Sequence, residues 1–220
     1  MKTIFVTFAF LVQLVIVKSI PINAANASCD ISSLNVFVAN LMDSSNLDWG
    51  FLDYEYPMFA NELGAALLTD ASKRRFIFSG LTGTITIPYN QNITQSSNIS
   101  TAIKNISDSG VDQYSRVFLG AAVANFIDSP LSSFSSSENP GIAVLALYWT
   151  SMDGIIGCKN AVTILKEKNY KVLGVSFGSG SNNFLMNCVD PDDFFKYDAN
   201  NPDVTPAVDW VVQRICSYKA

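Results

Sequence analysis

Two nearly continuous apolar runs of strand length and an alternation of strand-like with helix-like segments predict a doubly wound α/β domain. Its central sheet is mostly parallel, with helices on both faces. The first run is residues 34–42, which opens into Asp43-Ser44-Ser45-Asn46-Leu47. The second is residues 141–149, which opens into Thr150-Ser151-Met152-Asp153-Gly154. Strands that are apolar on both sides need cover on both faces, which a parallel sheet between two helical layers supplies. Ligands of such sheets gather beyond the carboxyl ends of the strands. Two aspartates and several hydroxyls at those ends form a hard-oxygen set of the kind that suits Mg²⁺ or a similar divalent cation.

The elements follow in chain order. After the first strand comes an aromatic loop that contains Trp49, Phe51, Tyr54 and Tyr56. Residues 57–68 predict a helix, because Pro57 suits a first turn and Phe59, Leu63, Ala66 and Leu67 share one face. Residues 76–80 and 83–88 predict two strands joined at Leu81-Thr82, with Gly80 and Gly83 as turn residues. Residues 89–100 are rich in Asn, Gln and Ser and predict a loop; 99–106 predict a short helix and 116–127 a longer one. The serine tract 132–137 is too short for a domain linker and is expected on the surface. Beyond the central strand, 160–168 predict a helix, 171–177 a buried strand, 178–183 a turn, 194–197 a short strand and 205–216 a last helix.

The start of the chain has the form of a secretory leader. Lys2 precedes an apolar run over 4–17, and small residues follow. Cleavage after Ser19 or after Ala27 both fit, which leaves one domain over residues 28–220. Loss of Lys2 and Lys18 moves the net charge from −5 to −7. That balance, with Lys73-Arg74-Arg75 as the one basic run, argues against nucleic-acid binding. No other segment has the length of apolar sequence needed to span a membrane. Four cysteines in an exported chain favour two disulfides, with three pairings open. Sequons at Asn92, Asn98 and Asn105 agree with a glycosylated, extracellular protein.

The Asp43-x-Ser45-x-Leu47 loop and the Asp153-Gly154 pair, each after an apolar strand, resemble the von Willebrand factor type A (vWA) family. In that family the metal-ion-dependent adhesion site uses an Asp-x-Ser-x-Ser loop, a threonine before a long helix and a second aspartate. The resemblance implies a vWA-like doubly wound sheet with one antiparallel edge, supplied by the 76–88 hairpin. It implies a site built from Asp43, Ser45, Ser115 (standing in for the threonine) and Asp153. Leu47 replaces the last serine, so the site is degenerate and Mg²⁺ or another divalent cation is expected to bind weakly or not at all. The scheme places Cys29 and Cys216 at one end of the sheet and Cys158 and Cys188 at the other, which favours those two pairings. It further implies an extracellular protein or matrix partner, in settings that include host defence. Trp49, Phe51, Tyr54 and Tyr56 are the candidate partner-binding residues.

Two other readings compete. Gly174-Val175-Ser176-Phe177-Gly178 matches the G-x-S-x-G elbow of α/β-hydrolases. The chain has no histidine, so Ser176 lacks the usual base, and most zinc sites are excluded as well. Asp190, Asp192 and Asp193 form a carboxylate cluster that is expected to be solvated. The chain is therefore expected not to be an enzyme; the alternatives are a secreted hydrolase of another fold and a structural extracellular protein.

Overall fold

The computed structural model describes residues 36–43, 55–67, 74–82, 85–93, 101, 117–128, 141–148, 151–198 and 203–219 of the 220. Its strands are β1 (Val36–Asp43), β2 (Arg74–Thr82), β3 (Ile85–Ile93), β4 (Gly141–Leu147), β5 (Tyr170–Ser176) and β6 (Phe194–Lys196). Its helices are α1 (Tyr56–Leu67), α2 (Leu119–Asp128), α3 (Gly154–Glu167), α4 (Ser179–Met186) and α5 (Thr205–Lys219). The strands form one sheet in the order β3-β2-β1-β4-β5-β6. Every neighbouring pair is parallel except β2–β3, so β3 is an antiparallel edge.

The two helical layers follow from the period-2 alternation of strand side chains. All seven residues of β4 are buried. Ile142, Val144 and Ala146 join a core with Phe59 and Leu63 of α1 and Val208, Val211 and Ile215 of α5. Ala143, Leu145 and Leu147 join the opposite core with Val123 and Phe126 of α2, Leu165 of α3 and Leu185 of α4. Each fully buried Leu, Ile or Phe contributes about 1.5–3 kcal/mol, so the β4 pattern alone strongly favours the three-layer arrangement.

Several boundaries differ from the sequence reading, each for a physical reason. Leu81 and Thr82, expected as the junction, belong to β2, because Leu81 is fully buried, and β3 begins at Ile85. Residues 89–93, expected as loop, extend β3; the register moves from Phe78↔Tyr89 to Phe76↔Ile93, so the extra residues form an irregularity in the ladder. Asn92 therefore belongs to the edge strand. Residues 179–183, expected as a turn, open α4. Serine, glycine and asparagine are poor helix formers, but the Ser181 hydroxyl is held between the Leu147 and Gly178 carbonyls, 2.9 Å from each. The helix expected from residue 160 starts at Gly154, because Ile155 and Ile156 are exposed and spoil the one-sided apolar pattern.

In the aspartate cluster Asp190 and Asp192 are exposed as expected, and Asp193 is not. Asp190 is exposed and pairs with Lys166 at 3.0 Å. Asp193 is only 8% exposed. Its Oδ1 accepts from Arg214 Nε at 3.1 Å, and also from Arg214 Nη2 and the Tyr218 hydroxyl. This network ties the end of α5 to the turn before β6. Burial, reinforced by the hydrogen bond to Asp193, pushes the Tyr218 phenol up to about 12. A tyrosine whose folded pKa is raised contributes stability that is complete below about pH 10 and lost as pH rises toward 12. Alkaline melts of Tyr218→Phe should therefore lose less stability across that window than melts of the unaltered chain.

Candidate functional site

The carboxyl ends of β1 and β4 lie side by side, since Met42 pairs with Ala146 in register. Asp43 ends β1 and the Ser151–Asp153 loop follows β4, so the topology brings the two aspartate loops to one end of the sheet.

Asp153 is the best-defined member. It occupies the residue before α3 but does not cap that helix. Its carboxylate reaches across to the start of α2, where Oδ1 accepts the Leu119 N–H at 3.2 Å and Oδ2 accepts the Gly120 N–H at 2.9 Å. These are two of the amide donors that a helix leaves without an internal partner, and the helix dipole favours a negative charge there. Ser151 is buried beside it. Its hydroxyl accepts the Leu119 N–H at 2.8 Å, lies 2.8 Å from the Val117 carbonyl and touches Asp153 Oδ1. One hydroxyl proton thus serves two acceptor oxygens. The Met152 N–H donates to the same Val117 carbonyl at 2.8 Å. Two glycines make room for the carboxylate: a Cβ on Gly157 would lie 1.8 Å from its carbon, and one on Gly120 would lie 3.2 Å from Oδ2.

Exposed apolar residues lie next to this polar knot in the chain. Phe118 is 40% exposed, Met152 52%, Ile155 46% and Ile156 75%. They flank Val117, Leu119 and Asp153 in the chain, and account for four of the six large apolar residues exposed among the described residues. Sequence reasoning missed them, because exposure rather than residue type makes them unusual. The signal available was the pair Ile155-Ile156 directly after Asp153-Gly154.

The other predicted residues divide as follows. Asp43 is placed by its backbone, and its side chain is outside the description. Tyr56 opens α1. Ser45, Leu47, Trp49, Phe51, Tyr54, Ser115, Asn98, Asn105 and Cys29 lie outside the described residues. Of the α2 approach, the residue brought against the Asp153 loop is Val117, which is apolar and 1% exposed. Cys158 and Cys188 form a disulfide with Cα atoms 5.8 Å apart, which links α3 to the chain after α4. Cys216 is also disulfide-bonded. Ser176 is fully buried, with its hydroxyl 2.5 Å from that of Ser181 and 3.0 Å from the Gly178 carbonyl. It is a structural strap and has no exposure from which to attack a substrate.

The vWA resemblance implies a divalent cation, and the described donors do not fit one. Both Asp153 oxygens are engaged by α2 amides, and the Val117 carbonyl oxygen is taken up by the Ser151 hydroxyl and the Met152 N–H. Among the described residues no group of three or more His, Cys, Asp or Glu is placed to hold a metal ion.

No family model matches the sequence, and no curated protein sequence matches it. Solved structures do match in fold. Proximal thread matrix protein 1 from the mussel byssus is 16% identical, with a TM-score of 0.65 over 82% of this chain and 48% of that one. A second structure of that protein has a zinc-occupied metal-ion-dependent adhesion motif. The pilus adhesin SpaC of Lactobacillus rhamnosus GG is 8% identical, with a TM-score of 0.62 over 84% of this chain and 30% of that one. The SpRpn10 VWA domain is 11% identical, with a TM-score of 0.56 over 81% of this chain and 94% of that one. The chain thus has a vWA-like fold, and it spans about half the length of the mussel protein.

Proposed function

We propose that this vWA-fold chain is a secreted, glycosylated binding or adhesion module that recognises an extracellular protein or matrix partner and catalyses nothing. The observation that carries the reading is the exposed group Phe118, Met152, Ile155 and Ile156 around the Asp153 loop. Large apolar side chains clustered on one face mark interaction surfaces more often than they occur by chance. In the sequence, Trp49, Phe51, Tyr54 and Tyr56 follow within 13 residues of Asp43, where β1 ends, and Trp and Tyr are frequent interface anchors.

Further support comes from the chemistry of the rest of the chain. The apolar leader, the Cys158–Cys188 bond and the sequons at Asn92, Asn98 and Asn105 suit an oxidising extracellular setting. Among the described residues no helix is long and apolar enough to cross a membrane. Ser176, the one residue in a catalytic motif, is buried. The adhesin SpaC shares the fold, which makes an adhesive role a natural use of it.

The test is to capture partners on the immobilised chain from the extracellular fluid of its source, and then to measure their affinity for Ile156→Asp. A buried anchor contributes about 2 kcal/mol or more to an interface. Because Ile156 is mostly exposed, the variant should keep its melting temperature and lose binding at least tenfold. Unchanged binding would place the interface elsewhere.

A further inference from the structure

We infer that Asp153 is a cross-helix clamp rather than a cation-linking carboxylate, and that recognition on this face proceeds without a divalent metal. The second half rests on the recognition role proposed above; the first stands on geometry alone.

The geometry is specific. An aspartate that begins α3 reaches over Gly157 to accept two amides at the start of α2. The loop on the other side is fastened by Ser151 and Met152 to Val117. In this arrangement the charge of Asp153 is already answered by the positive end of α2. The Val117 carbonyl is likewise occupied, by the Ser151 hydroxyl and the Met152 N–H, and in the sequence Leu47 stands where the family motif has a hydroxyl. Magnesium demands near-ideal octahedral oxygen geometry, and loses its fit as ligands turn to carbon.

The experiment uses the full mature chain. Calorimetric titration with Mg²⁺, Mn²⁺ and Zn²⁺ separately, up to about 1 mM, covers the affinities of weak extracellular cation sites. No saturable heat is expected, and thermal melts should coincide with and without EDTA. Asp153→Asn places an NH₂ group where one α2 amide donates. It should lower the melting temperature by roughly 4–10 °C, equally in EDTA and in Mn²⁺. Saturable binding of any of the three ions that Asp153→Asn abolishes would overturn the inference, as would a melting temperature that EDTA lowers. If Asp153→Asn does not fold, the titration and the paired melts of the unaltered chain still decide. Loss of binding in Ile156→Asp addresses the recognition role and is unaffected by the outcome of the metal titration.

Discussion

Gly178→Ala should destabilise the domain by about 3 kcal/mol, the upper end of overpacking costs, which lowers the melting temperature by roughly 6–12 °C for a chain of this size. Gly178 is not needed for its backbone angles, since its φ of −117° and ψ of 154° suit any residue. It is needed for space: an added Cβ would lie 2.2 Å from the Tyr148 carbonyl oxygen, which is backbone and cannot swing aside. Relief therefore requires the chain after β4 to separate from the start of α4. The same glycine's carbonyl accepts the Ser176 and Ser181 hydroxyls at 3.0 and 2.9 Å, so the shift would also disturb the buried serine strap. Thermal melts followed by circular dichroism give the answer. An alanine variant that melts within about 2 °C of the parent, where surface substitutions fall, would mean that this junction is looser than its packing indicates.

Removing the Cys158–Cys188 bond is the second large effect. The bridge closes a separation of 30 residues, and the loop-entropy relation assigns that closure about 3–4 kcal/mol. The paired alanine variant should melt roughly 6–15 °C lower. The bond ties α3, which carries Gly157 and follows Asp153, to the chain beyond α4. Its loss should therefore loosen the end of the fold where binding is proposed. Peptide mapping without reductant provides the companion check, with Cys29 linked to Cys216 as the expected second bridge. A free Cys29 thiol would contradict it.

Much of the fold was legible because burial writes itself into residue type. β4 and β5 are apolar on both faces, and only a strand covered twice can be so. The parallel order follows from helices between strands. Where the reading slipped, residue type and environment disagreed. Ile155 and Ile156 are apolar yet exposed, so the first turns of α3 did not look helical. The residues 179–183 are small and polar, yet tertiary hydrogen bonds from Ser181 hold them in a helix. Asp193 follows two other aspartates and looked solvated, but Arg214 and Tyr218 reach it from 21 and 25 residues away.

The site divides in the same way. The two aspartate loops were visible because they end apolar strands. Which amides hold the Asp153 carboxylate was not, because they belong to residues more than 30 positions earlier. Backbone donors carry no residue-type signature, so a carboxylate used as a clamp and one used near a metal read alike in sequence. Ser115 was chosen for its hydroxyl and lies outside the described residues, whereas Val117, which carries no such signal, meets the loop through its carbonyl.

The most direct measurement is the affinity of a captured partner for the immobilised chain, taken with and without EDTA, for the unaltered protein and for Ile156→Asp. The account predicts equal affinity in both buffers for the unaltered chain, and at least a tenfold loss for Ile156→Asp in both. Binding that EDTA abolishes, or that Ile156→Asp leaves unchanged, would contradict it.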